Sequence, residues 1–119
     1  MIEGFATTPG VRLWYWDMGG DGEPLVLCHP ASQSCQIWDN QRAAFAEAGY
    51  RVIAYSRRGT YRSEVGNDAD RGTSAGDLAA MLAFLDVKKA HFLGAAAGGI
   101  TAMAYAIAHP ESVRSLVLA

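Results

Sequence analysis

Hydrophobic residues occur along the chain in short runs that are separated by glycine-rich or polar turns. Residues 11–18 alternate between apolar and polar positions, which is typical of a strand with one buried face. Residues 25–29 form a continuous apolar run, as expected for a strand buried on both faces of a parallel sheet. On this basis we predict six strands, at residues 3–7, 11–18, 25–29, 50–55, 90–94 and 113–119.

Helical patterns lie between the later strands. We predict a helix over about 37–48, closed by Gly49, and a second helix that begins after Thr73, which can cap it. A third helix is predicted over 97–109, ended by Pro110. Apolar residues at helical spacing mark one face of the second and third helices. For the second helix they are Leu78, Met81, Leu82 and Leu85, and for the third they are Ile100, Met103, Ala104 and Ile107.

An opening antiparallel hairpin followed by alternating strands and helices predicts an α/β fold with a mainly parallel, twisted sheet and helices on both faces. Ligands of such sheets bind at the carboxyl ends of the strands. The loops that follow Cys28 and Leu93 both lie at that edge, so we look for the functional site there.

Composition excludes several classes of function. The net charge is −2, which gives no electrostatic reason to expect nucleic acid or an anionic membrane as a partner. We expect a cytoplasmic, reduced protein, because the two cysteines are too few for a disulfide scaffold. We also expect neither a signal peptide nor a membrane span. The three histidines are scattered, so no metal and no cofactor is predicted. The long loop over 57–72 interleaves basic and acidic residues and is expected to be a solvated surface. Its charged residues are Arg57, Arg58, Arg62, Glu64, Asp68, Asp70 and Arg71.

The stretch "GAAAG" at residues 94–98 joins a predicted strand to a predicted helix. A sharp strand-to-helix turn of the form G-x-?-x-G holds its middle residue in a strained conformation above the sheet, and its neighbours must be small. In a nucleophile elbow the middle residue is serine. Here it is Ala96, which can neither attack a carbonyl nor donate a proton.

Together with this frame, three other stretches resemble the α/β-hydrolase fold superfamily. They are "HP" followed by Trp38, "AGYRVIAYSRRGTYRS", and "AIAHPESVRSLVLA". The resemblance covers essentially the whole chain in the right order. It implies that residues 1–119 are the N-terminal portion of a single α/β-hydrolase domain, with strands 1–6 and without a lid or the C-terminal strands. The family's acid and histidine would follow the sixth or seventh strand and the eighth, respectively.

The resemblance also implies roles for single residues. The backbone N–H groups of Ala97 and Ala31 match the oxyanion donors, and Ser32 and Gln33 either line a substrate entrance or belong to a surface loop. His29 is interpreted as a structural brace, and Gly94 and Gly98 as the small residues that the elbow needs. Pro30 and Tyr61 replace usual glycines, and Ser56 stands where an aspartate is common.

Two functions remain open. In the first, the parent protein is a serine hydrolase that acts on a small ester or lactone, and Ala96 is a Ser-to-Ala variant that inactivates it. In the second, the protein is a non-catalytic relative that binds a ligand or a protein. A dinucleotide loop fails on glycine spacing, a buried Cys28 is expected to be inert, and Asp77 and Asp86 are interpreted as helix-surface charges. An apolar sixth strand with a free edge predicts a partner, either the C-terminal half as a second polypeptide or another copy.

Overall fold

The computed structural model describes residues 1–67 and 71–119. The strands are β1 (Ile2–Thr8), β2 (Val11–Asp17), β3 (Pro24–Cys28), β4 (Arg51–Tyr55), β5 (Ala90–Gly94) and β6 (Val113–Leu118). The helices are α1 (Arg42–Glu47), α2 (Ser74–Phe84) and α3 (Ala97–Ala108). Two 3-10 turns lie at Cys35–Trp38 and Pro110–Ser112. Among the described residues, no helix is long and apolar enough to cross a lipid bilayer.

The strands form a six-stranded sheet in the order β1-β2-β4-β3-β5-β6. β2 pairs antiparallel with both β1 and β4, whereas β4, β3, β5 and β6 run parallel to one another. The predicted α/β fold with a mainly parallel sheet is therefore confirmed. β3 lies at the centre, so its carboxyl end opens onto the middle of the sheet edge.

Helices cover both faces of the sheet. Successive residues of a buried strand point to opposite sides, so each strand contributes apolar side chains to both faces. Val26 and Ile53 belong to a cluster that packs against α2 and α3. Leu27 and Val52, their neighbours along β3 and β4, belong to a second cluster that includes residues of α1. The continuous apolar runs of these strands thus supply two cores rather than one.

The single helix predicted over 37–48 is wrong, since this segment consists of a 3-10 turn followed by the short helix α1. Ser34 caps the 3-10 turn by accepting a hydrogen bond from the Gln36 N–H at 3.2 Å. Cys35 and Trp38 are buried and hold the turn against the sheet. The polar residues 39–41 then redirect the chain before α1 begins.

The apolar stripe predicted for α3 does not face the core. Ile100 and Ile107 are 67% and 78% exposed, and Met103 is 42% exposed. The buried side of the helix is instead made of small residues and Tyr105, with Gly98, Gly99, Thr101 and Ala102 as the small members. Small residues let the helix lie close to the strands, and this close approach decides which side of α3 packs inward.

β6 pairs with β5 on one side, and no other strand of the described residues pairs with its far edge. Val117 and Leu118 are 56% and 51% exposed. The free apolar edge that the sequence predicts is therefore present, next to the outward stripe of α3.

Candidate active site

Ala96 lies between the end of β5 and the start of α3, with φ 51° and ψ −117°. A positive φ is uncommon for a residue with a Cβ, and such strain costs on the order of 1–3 kcal/mol. The methyl group is exposed at the carboxyl edge of the sheet. The turn therefore has the backbone of a nucleophile elbow and presents its middle side chain outward.

Glycines on both sides of Ala96 make this turn possible. A Cβ added at Gly94 would lie 2.5 Å from the Cα of Gly99, and one added at Gly98 would lie 2.0 Å from the carbonyl oxygen of Cys28. Neither distance is compatible with a real side chain. The requirement for small residues at these two positions thus follows from strand and helix packing, whatever residue stands at position 96.

Backbone hydrogen bonds from two strands hold the elbow in place. The Ala95 N–H donates to the Cys28 carbonyl at 3.1 Å, on the β3 side. The Ala96 N–H donates to the Ala119 carbonyl at 3.1 Å, and the Ala119 N–H donates to the Gly94 carbonyl at 2.9 Å, on the β6 side. The strained residue is therefore fixed from both neighbouring strands through backbone atoms alone.

The backbone amides assigned to the oxyanion site lie on two segments that adjoin at this edge. Ala97 is the first residue of α3, where N–H groups have no partner within the helix and the helix dipole is positive. Ala31 lies in the exposed turn after β3, which is closed by a hydrogen bond from the Gln33 N–H to the Pro30 carbonyl at 3.2 Å. Gly98 brings the start of α3 against the backbone of Cys28 and His29. The oxyanion role of Ala97 and Ala31 stays a prediction.

His29 is completely buried and connects the loops that follow β3 and β4. Its Nε2 lies 3.0 Å from the Arg57 backbone nitrogen, which can only donate, so Nε2 is the acceptor and Nδ1 carries the proton. Nδ1 then donates to the Pro30 carbonyl at 2.7 Å. The Pro30 carbonyl and the Ala31 N–H belong to one trans peptide, so this bond also fixes the direction of the Ala31 N–H.

Burial lowers the pKa of His29 from 6.5 to about 4, and the nearby Arg57 charge acts in the same direction. The folded state therefore favours the neutral ring. Stability that depends on the neutral ring is fully present above about pH 6.5 and is lost as the pH falls toward 4.

We expect the free energy of unfolding to decrease over this pH window, and to decrease less in His29→Asn. Asparagine has no charge to gain and keeps a donor near the place of Nδ1. Urea titrations at a series of pH values measure both slopes. Equal slopes in the two proteins would show that His29 is not the group responsible.

The thiols at this edge are not nucleophiles. Burial raises the pKa of Cys28 to about 12, and burial also raises the pKa of Cys35. Cys28 therefore stays protonated at neutral pH, and a thiol in that state does not attack a carbonyl. No group of three or more histidine, cysteine or acidic residues able to hold a metal was found among the described residues.

Ser32 and Gln33 are exposed and line an open polar cleft of about 500 Å³, together with Thr60 and Tyr61. Ala31 lies on the same cleft. These contacts place the two side chains beside one candidate oxyanion donor. Their role in substrate binding stays a prediction.

Most described residues of the loop over 57–72 are exposed, as expected for a solvated surface, but Arg58 is not. Nε and Nη2 of its guanidinium donate to the two carboxylate oxygens of Asp77 at 2.7 and 3.0 Å, and both side chains are about 15% exposed. Gly66 and Gly72, both with positive φ, lie so close to the guanidinium that a Cβ on either would contact it at 2.7 Å. The interpretation of Asp77 as a surface charge is therefore wrong. Asp68 and Asp70 lie outside the described residues.

Sequence reasoning missed this ion pair, although a signal was present. Two glycines in a polar loop, followed by a helix with an acidic residue in its first turn, are consistent with a loop folded around a cation. The pair connects the loop after β4 to α2, and so it helps to fix the edge on which the elbow lies.

This chain has a strained strand–turn–helix elbow at the carboxyl edge of a mainly parallel sheet. The same feature characterises a class of α/β proteins in which the elbow presents a reactive residue above the sheet. Residues 23–119 match the family model for the alpha/beta hydrolase fold. The chain belongs to this family.

Several known proteins are similar to this chain. A non-heme chloroperoxidase of Streptomyces lividans is 41% identical over 117 residues, which cover 94% of this chain and 42% of that protein. A structure reported for carboxylesterases of Nitrososphaera gargenis superposes with a TM-score of 0.89 at 33% identity, covering 97% of this chain and 44% of that one. The enol-lactonase of Burkholderia xenovorans LB400 superposes with a TM-score of 0.86 at 27% identity, covering 95% and 45%. The chain spans about two fifths of the length of the curated relatives it matches.

Proposed function

We propose that this chain is the elbow-bearing portion of a serine hydrolase that acts on an ester or lactone, and that Ala96 removes the attacking group. The observation that carries the proposal is the strained backbone of Ala96, which backbone hydrogen bonds from two neighbouring strands hold at the exposed edge of the sheet. The similarity to a carboxylesterase structure and to an enol-lactonase supports the substrate class.

The chemistry follows from the position of the elbow. A serine hydroxyl at position 96 would attack the carbonyl carbon, with the family's histidine as general base. The N–H groups of Ala97 and Ala31 would hold the oxyanion, and water would then break the acyl-enzyme. With a methyl group in place of the hydroxyl, no acyl-enzyme can form at position 96.

The second candidate is a non-catalytic member of the family that binds a small ligand or a protein at the same edge. Ala96 itself favours this candidate, because a methyl side chain cannot act as a nucleophile. The codon for position 96 in the source genome separates the two. A serine codon supports the hydrolase, and an alanine codon supports the binding module.

We further propose a cytoplasmic location, which is consistent with the free, buried thiols of Cys28 and Cys35.

The test of the hydrolase is covalent labelling by a fluorophosphonate. Ala96→Ser, made in a chain that also carries the family's acid and histidine, is expected to gain one adduct at position 96. The same change in residues 1–119 alone is expected to give no adduct, because the resemblance places the general base outside these residues. A complete Ala96→Ser protein without an adduct would exclude the serine hydrolase and leave the binding module.

We also propose that the free edge of β6 is covered in solution, by the C-terminal half as a second polypeptide or by another copy. Val117 and Leu118 at this edge are apolar and exposed, and unpaired strand edges recruit partners. We expect size-exclusion chromatography with intact mass analysis to show a complex larger than a single chain. A well-folded monomer would contradict this proposal.

A further inference from the structure

Two clefts open side by side next to the elbow, and they differ in chemistry. The first, of about 310 Å³, is mainly apolar and runs along the outer side of α3 from Ala97 to Ala104. The second, of about 220 Å³, is polar. Arg57, Thr73 and Ser74 line both clefts, so the two spaces share a wall. A ligand that enters at Ala97 can therefore extend from apolar surroundings into polar ones.

Among the described residues, the lining of the polar cleft carries more positive than negative side chains. Its described lining includes three arginines, Arg57, Arg58 and Arg71, and one carboxylate, Asp77. Asp77 is paired with Arg58, so the charges of the two other arginines are left without a carboxylate among the described lining residues. The N-terminus of the eleven-residue helix α2 borders the same cleft at Thr73 and Ser74 and adds the positive end of its dipole.

The two remaining arginines differ in how they are held. Arg57 donates one N–H to the His29 carbonyl, which orients the guanidinium, and an arginine has four further donors. Arg71 is exposed at the mouth of the cleft. One oriented and one exposed guanidinium at a helix N-terminus suit a planar carboxylate, which accepts paired hydrogen bonds from arginine.

We propose that the polar cleft binds a carboxylate at the far end of the substrate, with the apolar cleft holding the chain that joins it to the reacting ester or lactone carbonyl. The substrate class is thus an ester or lactone whose acyl chain ends in a carboxylate. The orientation of the substrate rests on the proposed function. The anion site itself depends on Arg57, Arg71 and the start of α2.

Equilibrium binding to the chain as it stands tests the site, because Ala96 leaves an ester unreacted. Monomethyl adipate is the anionic probe and dimethyl adipate is its neutral match, both followed by NMR titration. We expect Arg71→Gln to weaken monomethyl adipate by about five- to tenfold and to leave dimethyl adipate unchanged. The matched control is Arg114→Gln, at the start of β6, where Arg114 pairs with Glu23. It is expected to change neither affinity.

Equal loss of both esters in Arg71→Gln, or loss of neither, would overturn the proposal. Should Arg71→Gln fail to fold, salt dependence in the unsubstituted chain decides instead. Added salt is expected to weaken monomethyl adipate and not dimethyl adipate, and equal effects would count against the site. Inorganic phosphate that binds more tightly than monomethyl adipate would show a site for free phosphate and overturn the substrate role. None of these measurements needs catalysis, so a failed fluorophosphonate test leaves their outcome readable.

Discussion

Ala96→Ser, in a chain completed by the family's acid and histidine, is expected to raise the rate of p-nitrophenyl acetate hydrolysis by about 10⁴- to 10⁶-fold. The reason is that the elbow already has the backbone that presents a nucleophile, so the change adds the reacting oxygen without rebuilding the turn. Steady-state kinetics of the two proteins measure the ratio. One oxyanion donor is worth about 2.7–4 kcal/mol, so the Ala96 protein is expected to keep weak turnover.

Ala95→Ser is the matched control, because it introduces the same hydroxyl one residue away. The side chain of Ala95 packs against the core cluster on the α1 face of the sheet instead of standing above the edge. It is therefore expected to give no increase. A similar increase in both variants would mean that position 96 has no special geometry. No increase in Ala96→Ser would favour the binding module.

Much of the fold was predictable because short-range patterns decided it. The continuous apolar runs at β3 and β4 predict strands buried on both faces, and the two core clusters confirm this. The elbow was predictable for a different reason, since Gly94 and Gly98 are required by contacts between backbone atoms. Such contacts tolerate no other residue, so they leave a clear trace in the sequence.

The errors arose where packing competed with local preference. Two apolar patterns coexist on α3, and the pattern with the larger residues predicts the wrong buried side. The opposite face packs inward because Gly98 and Ala102 allow the helix to approach the sheet, and Ile107 is left 78% exposed. Residues 37–48 were misread for a related reason, because Trp38 anchors a 3-10 turn instead of a longer helix.

The candidate site was predictable only in part. The position of the elbow and the burial of His29 followed from sequence, whereas the partners of His29 did not. Its tautomer depends on the Arg57 N–H, 28 residues further along the chain. The ion pair between Arg58 and Asp77 also joins distant segments. Contacts of this kind depend on the path of the loop over 57–72, which periodicity does not encode.

Gly98→Ala is expected to destabilise the protein by about 3 kcal/mol or more, or to prevent folding. Helix propensity alone predicts the opposite, since alanine is favoured over glycine inside a helix by about 1 kcal/mol. Sterics outweigh this gain because the added Cβ would lie 2.0 Å from the Cys28 carbonyl oxygen and 2.6 Å from that of His29. Both neighbours are backbone atoms of the β3 end, so neither can rotate away. Urea unfolding followed by circular dichroism measures the change.

Gly4→Ala provides the matched control, because a Cβ at Gly4 in β1 would meet no atom within 4 Å. It is expected to change the free energy of unfolding by less than about 1 kcal/mol. A small effect of Gly98→Ala, equal to that of Gly4→Ala, would show that α3 does not lie against the end of β3. In that case the elbow would have lost the contact that positions Ala97 beside the loop of Ala31, and the proposed oxyanion site would fail with it.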